Sequence, residues 1–255
     1  MRSAVPVLFC VALASVTTAG CTSDDVDPVV RRVPRVLGSI PHDTSAFTQG
    51  LEMHDGLLLE GTGRYGLSDR RTVDPDDGSV VAKLPLPPSQ FGEGLTVAGD
   101  RGFHLTWREG IVHVFDPASL ETTGMFTYAG EGWGICWDGE HLVMSDGSST
   151  LVRRDPVDFS VVSRIEVDLE GRPVNLLNEL ECTPDRIWAN VWQTATIVGI
   201  DPRTGHVRDV VDVSSLVPPD LGPDAVLNGI ARDPGDGSFW LTGKLWPTMW
   251  RVRLD

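Results

Sequence analysis

The sequence has few of the residues from which disulfide frameworks and metal sites are built. It contains 255 residues but four cysteines, and two of these, Cys10 and Cys21, fall in the N-terminal segment. The remaining pair, Cys136 and Cys182, is too small a set for a disulfide framework and matches no zinc-ligand spacing. The six histidines are scattered and form no His-Glu-x-x-His pair, and no Gly-x-Ser-x-Gly motif occurs. We therefore expect no metal site and no serine hydrolase.

The sequence also lacks an excess of basic charge, long apolar runs and helical periodicity. The 36 acidic and 21 basic side chains give a net charge of −15, which repels nucleic-acid phosphates, so no nucleic-acid partner is expected. No segment after the N-terminus is apolar and long enough to span a bilayer. What is abundant instead is turn formers, with 27 glycines and 18 prolines, and stretches such as FHLTW and IVHVF alternate as strands do.

The N-terminus has the pattern of an export signal. Residues 1–20 hold one arginine, a short apolar run and then small residues. Cys21 follows at the position that a bacterial lipoprotein signal modifies with lipid, although Thr18 stands where an aliphatic residue is usual. We expect an exported protein held at the outer face of a membrane by lipid on Cys21 alone, with ordinary cleavage and secretion as the alternative. A linker over 21–32 and one domain over 33–255 complete the predicted organisation.

Five segments of the chain share a pattern of strand, turn and strand, at intervals of 40 to 50 residues. They begin at Gly50, Gly94, Gly134, Glu179 and Gly229. A third strand follows each pair, and in four copies it ends at an Asp-Pro turn. A fourth strand follows in the first four copies, whereas the fifth copy ends with the chain. The stretch RRVPRVLGSIP near the N-terminus matches the strand that the fifth copy lacks.

This repeat predicts an all-β fold, a five-bladed β-propeller whose last blade is closed by the N-terminal strand. A six-bladed propeller with one unrecognised blade and a large β-sandwich are the alternatives. Because propellers arrange their inner strands around a central channel, the residues just before the first strands should meet at one end of it. These residues are Gln49, Glu93, Trp133, Asn178 and Asn228.

Aromatic and charged side chains are expected on the same rim. They come from two residues before Gln49 and Glu93, and from the ends of the second strands. They are Phe47, Phe91, Trp107, Trp192 and Lys244. A few polar groups among aromatic rings suit a small ligand, and a glutamate beside such rings has a raised pKa and can exchange protons near neutral pH. Taken singly, the rings could equally fill space between blades, and the amides could cap strands or turns.

Six stretches around these positions carry a further signal. They are PHDTSAFTQGL, FGEGLT, EGWGICWDG, LNELE, ANVW and LTGKLWP. In this order and spacing they resemble the papaya-type glutaminyl cyclases of plants and bacteria, and the resemblance extends from Val33 to Asp255. It implies a five-bladed propeller and an aminoacyltransferase that converts N-terminal glutaminyl residues to pyroglutamate and ammonia. No metal or other cofactor is implied. The implied partners are peptides or proteins with N-terminal glutamine, and we expect a monomer.

The resemblance also assigns roles to residues. Glu93, the acid of FGEG, would take a proton from the attacking amine and return it to the leaving nitrogen, with Lys244 also in the catalytic set. The remaining family positions would contact or enclose the substrate, and they are Phe47, Gln49, Phe91, Trp107, Trp133, Asn178 and Trp192. Asn228 joins the substrate-binding set from the repeat alignment alone. Asn178, Gln49 or Lys244 should stabilise the developing oxyanion, and the sequence leaves that choice open.

Two rival functions are compatible with a propeller. One is a non-catalytic, lipid-anchored propeller that binds peptides or envelope proteins. The other is a lactonase-like enzyme, with a divalent cation held by Glu93, Asn178 and Asn228, and a chelator would inhibit this enzyme but not a cyclase. Nucleotide binding is not indicated, because GTGRYG fits Gly-x-Gly-x-x-Gly but is followed by a predicted strand instead of a helix.

The two cysteines of the domain could pair. Counted from the turns of their blades, Cys136 and Cys182 lie one position out of register, which puts them on facing sides of adjacent sheets. Stacked sheets lie about 10 Å apart, however, whereas a disulfide needs Cα atoms within about 7 Å. The sequence therefore leaves the disulfide open.

Overall fold

The structure confirms the all-β fold and its five blades. It is a computed structural model that describes residues 28–254 together with Met1 and Ala4. Apart from those two positions, the predicted signal lies outside the described residues, as do Cys21 and the first part of the predicted linker.

The described chain begins with two strands that join blades formed much later in the sequence. These are β1 (Val30–Arg32) and β2 (Arg35–Pro41). The first blade then consists of β3 (Thr48–His54), β4 (Leu57–Thr62), β5 (Asp69–Val73) and β6 (Val80–Pro85). The second consists of β7 (Gly92–Ala98), β8 (Arg101–Thr106), β9 (Ile111–Phe115) and β10 (Thr122–Thr127). The third consists of β11 (Ile135–Trp137), β12 (Leu142–Met144), β13 (Thr150–Arg154) and β14 (Val161–Glu166).

A small hairpin precedes the last two blades. Its strands are β15 (Asp168–Leu169) and β16 (Arg172–Pro173). The fourth blade consists of β17 (Leu177–Thr183), β18 (Arg186–Val191), β19 (Thr196–Ile200) and β20 (Val207–Asp212). The fifth consists of β21 (Leu227–Arg232), β22 (Phe239–Gly243) and β23 (Thr248–Arg253). Among the described residues no helix is long and apolar enough to cross a membrane, and the helical element seen is a 3₁₀ turn at Ser214–Leu216.

The fifth blade is closed as predicted. Strand β2 pairs antiparallel with β23, from Arg35 opposite Arg253 to Pro41 opposite Thr248. This pairing makes the N-terminal strand the outermost strand of the last blade, which excludes the six-bladed and sandwich alternatives. Strand β1 was not expected: Val30–Arg32, within the predicted linker, adds to the outer edge of the fourth blade, parallel to β20.

The apolar core lies between the blades. One cluster joins Phe103 and Leu105 of the second blade to Leu142 and Met144 of the third, and all four side chains are buried. The outer strand β6, in contrast, is mostly exposed. Burying a side chain as large as leucine or phenylalanine contributes about 1.5–3 kcal/mol, so these inter-blade contacts hold neighbouring sheets face to face.

The inner strands β3, β7, β11, β17 and β21 contact one another in a closed ring around the channel. Glycines allow this close approach. A Cβ at Gly94 would lie 2.8 Å from the Cα of Gly134, nearer than real Cβ atoms come to other atoms. The Gly94 N–H donates to the Trp133 carbonyl at 2.7 Å, which links two blades through their backbones. The glycines of the repeat are thus required where the blades converge.

A disulfide joins Cys136 of β11 to Cys182 of β17, with Cα atoms 5.4 Å apart. The spacing of stacked sheets suggested a larger separation. That spacing applies to sheets facing each other at full width, whereas both cysteines lie on inner strands, where the blades converge on the channel. The predicted parity of the two positions was therefore sufficient for pairing.

Candidate active site

Four blades carry an irregularity at the same place, near the start of the inner strand. The pairing register with the second strand shifts there in blades 1, 2, 4 and 5. The residues inside these shifts include Gln49, Glu93, Asn178 and Asn228. A bulge bends the strand and re-aims a side chain that regular alternation would point elsewhere. These residues were predicted to precede the strands, but they are in fact the second residue of each, whereas Trp133 does precede β11.

A cavity of about 260 Å³ opens at this end of the channel. Nine of the ten residues predicted to catalyse or bind substrate line it, namely Phe47, Gln49, Phe91, Glu93, Trp107, Trp133, Asn178, Trp192 and Lys244. Asn228 is the exception, because it is fully buried behind Gln49 and does not reach the wall. Sequence reasoning missed four wall residues, Gln193, Pro223, Asp224 and Val226. They lie on the turn after β18 and the loop before β21, where the strand repeat gives no signal.

Glu93 is 4% exposed and faces the cavity. Burial raises the pKa of its carboxyl well above the usual range, the positive charge of Lys244 opposes this rise, and the negative charges of Glu131 and Glu109 add to it. Gln49 Nε2 donates a hydrogen bond to Oε1 of Glu93 at 3.0 Å. A carboxyl with a raised pKa can both accept and donate a proton near neutral pH.

Lys244 comes directly after β22, in the fifth blade. It is 5% exposed, and burial lowers the pKa of its ammonium to about 8, although the carboxylates of Glu93 and Asp224 favour the charged form. Its backbone N–H donates to the Val226 carbonyl at 2.9 Å, which fixes the end of the strand. The cavity wall therefore carries a buried acid whose pKa is raised and a buried amine whose pKa is lowered.

The aromatic wall is organised by a residue that sequence reasoning did not select. The carboxylate of Glu131 accepts hydrogen bonds from the indole nitrogens of Trp107 at 2.7 Å and Trp133 at 3.1 Å. Trp133 in turn packs edge-on against Trp192, with ring centroids 5.4 Å apart. Because these bonds fix the planes of two rings, Glu131 orients the wall without lining the cavity. Its position two residues before Trp133 gave no separate signal in the repeat.

Asn178 presents a polar side chain that has not been used by the fold. It is 3% exposed, and its Oδ1 is buried without a hydrogen-bond partner among the described residues. Its backbone carbonyl accepts a hydrogen bond from Ser145 Oγ at 2.6 Å, which ties β17 to the third blade. A buried polar atom without a partner is costly, so a ligand that supplies one would be favoured here.

The acidic and basic groups described above do not assemble into a metal-ligand set. Within residues 28–254, no group of three or more His, Cys, Asp or Glu side chains is arranged to hold a metal ion. The site instead combines the buried carboxyl of Glu93, the buried amine of Lys244, a second carboxyl from Asp224, three amides and five aromatic rings. That set can bind a small polar group and move a proton to or from it.

Comparisons with known proteins agree with this arrangement. The family model for glutamine cyclotransferase matches residues 7–254. The glutaminyl-peptide cyclotransferase of Arabidopsis thaliana is 40% identical over 227 residues, which are 86% of this chain and 70% of that protein. The crystal structure of Myxococcus xanthus glutaminyl cyclase superposes with a TM-score of 0.85 at 41% identity, over 89% of this chain and 98% of that one. The similarity therefore extends over the whole propeller and all five blades.

Proposed function

The chain belongs to the glutamine cyclotransferase family, and we propose that it cyclises N-terminal glutaminyl residues of peptides or proteins to pyroglutamate, with Glu93 carrying the proton and without a metal ion. The substrate brings its own nucleophile, since an N-terminal amine has a pKa of about 7.7–8.0 and is partly unprotonated at neutral pH. What the protein must supply is a curled substrate conformation and a proton for the leaving nitrogen. The aromatic walls serve the first need and Glu93 the second.

The reaction proceeds through a tetrahedral intermediate. The free amine attacks the carbon of the side-chain amide, a new C–N bond forms, and Glu93 accepts a proton from the attacking nitrogen. The intermediate then collapses, the bond to the amide nitrogen breaks, and Glu93 returns the proton so that ammonia leaves. Glu93 is again a carboxylate at the end, so each turnover is balanced without any other reactant.

The observation that carries this assignment is the position of Glu93. Its carboxyl is buried at the cavity with a raised pKa, and it lies where a charged group would otherwise be avoided. For the developing oxyanion we assign Lys244, because it brings a positive charge to the cavity, whereas the unpartnered atom of Asn178 is Oδ1, an acceptor that suits an N–H of the substrate. The Gln49 amide is instead engaged with Glu93 itself.

The proposal is tested by ammonia release from a glutaminyl dipeptide amide in the presence of EDTA. Wild-type protein should turn over, and Glu93→Gln should lose about 10²–10⁴-fold in kcat, the range that a general acid–base group contributes. Glu109→Gln is the matched control, since it removes another negative charge near Glu93 but from a rim residue that accepts the Tyr65 hydroxyl. Absence of wild-type turnover, loss of it to EDTA, or full activity of Glu93→Gln would each refute the assignment.

We also propose that the protein is exported and anchored by lipid on Cys21. The proposal is supported by the direction in which the chain enters the propeller. Strand β1 runs parallel to β20, and β20 ends beside the start of β19, close to the cavity residue Gln193. Strand β1 therefore enters the propeller from the face opposite the cavity, which is compatible with a lipid anchor that leaves the cavity open to substrate. Mass spectrometry of the N-terminal peptide from a bacterial membrane fraction tests this, and a soluble wild-type protein cleaved without lipid would contradict it.

A further inference from the structure

A line of hydrogen bonds connects a residue outside the cavity to Glu93. Asn228 Nδ2 donates to Gln49 Oε1 at 3.1 Å, and Gln49 Nε2 donates to Glu93 Oε1 at 3.0 Å. All three side chains are nearly inaccessible, with exposures of 0%, 3% and 4%. They come from the inner strands of the fifth, first and second blades, so the line crosses two blade boundaries.

The direction of this line is fixed by the backbone. Asn228 Nδ2 also donates to the carbonyl oxygen of Thr48 at 3.0 Å. A carbonyl can accept but cannot donate, so the Asn228 side chain must turn its nitrogen toward it. The second hydrogen of that nitrogen then points at Gln49, so the Gln49 side chain must present its oxygen as the acceptor. The Gln49 nitrogen is thereby directed at Glu93, and reversing either amide would set two acceptors or two donors against each other.

As a consequence, the two oxygens of the Glu93 carboxyl have different hydrogen-bond surroundings. Oε1 of Glu93 receives an N–H from Gln49, so it is the oxygen that stays an acceptor. Oε2 has no hydrogen-bond partner among residues 28–254, and Glu93 lines the cavity. A proton on Oε1 would face the Gln49 N–H, whereas a proton on Oε2 meets no competing donor.

We propose that Asn228 is a positioning residue, which acts through Gln49 to keep Oε1 of Glu93 as an acceptor and so reserves Oε2 for the transferred proton. This rests on the proposed function, and it explains why a residue aligned with the site by the repeat lies one layer behind the cavity. In the reaction, Oε2 takes the proton from the attacking amine and returns it to the leaving nitrogen. Asn228 touches neither the substrate nor the reacting atoms.

The line of hydrogen bonds from Asn228 through Gln49 to Glu93, called the relay from here on, affects the pKa of Glu93. A hydrogen bond donated to the charged form of a carboxyl lowers its pKa, so the Gln49 N–H partly offsets the rise that burial causes in Glu93. Several other charged or titratable groups also act on Glu93 or are acted on by it, and they are Lys244, Glu109, Glu131, Tyr65, Tyr128 and His104. None of these groups is hydrogen-bonded to the Asn228 side chain, whose partners are the Thr48 carbonyl and Gln49, so a change at Asn228 leaves their hydrogen bonds in place.

The test is Asn228→Asp, which keeps the size of the side chain and removes its donor. The introduced carboxylate would accept from Gln49, so the Gln49 amide should reverse and turn its oxygen toward Glu93. Loss of the donated hydrogen bond should raise the pKa of Glu93 by about one unit, and misplacement of the proton should lower kcat roughly ten- to a hundredfold. The acidic limb of the kcat profile should move to higher pH by the same amount, while KM changes little.

A matched control is available in the neighbouring blade. Asn190 is also fully buried, its Oδ1 accepts from the Gly229 N–H at 3.0 Å, and its Nδ2 has no partner among the described residues. Asn190→Asp keeps that acceptor and adds the same buried carboxyl, so it should leave kcat and the acidic limb unchanged. An equal shift in both variants would attribute the effect to the added charge and overturn the relay.

Gln49→Met provides the test of the pathway. Methionine matches glutamine in length but carries no amide, so it should reproduce the upward shift of the acidic limb. If Asn228 acts through Gln49, then Asn228→Asp should add no further shift in the Gln49→Met background. Additive shifts would mean that Asn228 acts independently. Should Asn228→Asp fail to fold, Asn228→Ala removes the same donor without a new carboxyl and is judged by the same criteria.

A titration without substrate separates this inference from the proposed function. In protein labelled at the carboxyl carbon of glutamate, the signal absent from Glu93→Gln belongs to Glu93, and its chemical shift follows the pKa directly. An upward shift in Asn228→Asp supports the relay even in a protein that fails the ammonia assay. An unchanged Glu93 titration in Asn228→Asp overturns the relay, while wild-type turnover would leave the cyclase assignment standing.

Discussion

The ammonium nitrogen of Lys244 lies 4.8 Å from the centroid of the Phe47 ring, and the guanidinium of Arg64 lies 4.6 Å from the same centroid. An aromatic face attracts cations, so this ring offsets part of the cost of burying the Lys244 charge. Burial still dominates, because it lowers the pKa of Lys244 to about 8. The ammonium is therefore present at neutral pH but is lost in mildly alkaline solution.

This relationship predicts an alkaline limit to activity. If Lys244 stabilises the oxyanion, kcat should fall as the pH rises through about 8, because the amine loses its charge there. Lys244→Met should lower kcat roughly 10²–10³-fold, as loss of an oxyanion donor does, and should show no fall of its own near that pH. Stopped-time ammonia assays between pH 6 and pH 10 would measure both. An unchanged alkaline limb in Lys244→Met would assign the limb to another group.

Much of this architecture could be predicted from the sequence, because a repeated sequence pattern indicates repeated structural units related by symmetry. Glycines, Asp-Pro turns and alternating strands recur in each blade, so the five-bladed fold and the convergence of Gln49, Glu93 and Asn178 on one rim follow from their alignment. Closure by RRVPRVLGSIP follows as well, since one copy lacks a strand. The family resemblance then added the chemistry, which periodicity does not carry.

The features that sequence reasoning missed depend on contacts between blades. The bulge that turns Glu93 into the cavity changes a side-chain direction without changing the residue pattern. Asn228 aligns with the other site residues, yet its nitrogen is held by the Thr48 carbonyl and so it lies behind the wall. Glu131 accepts hydrogen bonds from two indoles on different loops, and one of them belongs to Trp107, which is 24 residues away in sequence. Contacts of this kind can be identified only from the distances between atoms in the folded structure.

Glu131 offers a prediction that separates shape from charge. Both indoles bond to one oxygen, Oε2, while the other accepts from Arg108 at 2.9 Å. Glu131→Gln can keep the oxygen for the indoles, so KM should stay within about twofold, whereas Glu131→Ala loses bonds worth about 0.5–1.5 kcal/mol each and should raise KM several-fold.

The same two variants should agree in their pH dependence. The negative charge of Glu131 raises the pKa of Glu93, so its removal lowers that pKa, and the acidic limb of kcat should move to lower pH in both variants. Michaelis–Menten measurements across the acidic range would show both effects. A raised KM in Glu131→Gln equal to that of Glu131→Ala would mean that the charge, and not the ring geometry, determines binding.

The disulfide should contribute to stability and not to catalysis. It links positions 46 residues apart in sequence, and closing a loop of that size in the unfolded chain is worth about 4 kcal/mol in the chain-entropy description. Replacing both Cys136 and Cys182 with serine should lower the free energy of unfolding by about that amount, measured by urea denaturation. Neither cysteine lines the cavity, so kcat at 25 °C should be retained. Loss of activity with unchanged stability would contradict this separation.

Three glutamates on inner strands predict a dependence of stability on pH. Burial raises the pKa of Glu52 to about 7, and it raises those of Glu179 and Glu181 well above the usual range. Glu179 also accepts backbone N–H groups from Leu51 at 3.2 Å and Ile230 at 2.8 Å, so it links the first, fourth and fifth blades. The folded protein therefore holds protons that the unfolded chain releases at lower pH.

The sign follows from this difference in bound protons. For Glu52 the stabilisation is complete below its ordinary pKa of 4.5 and is lost as the pH rises through about 7, because the unfolded state binds fewer protons over that interval. Glu52→Gln cannot titrate, so its stability relative to wild type should improve steadily between pH 4.5 and pH 7.5. Urea denaturation of both proteins at several pH values would measure the trend. A difference that stays constant over the interval would show that Glu52 is already ionised in the folded protein, with its charge accommodated by the surrounding strands.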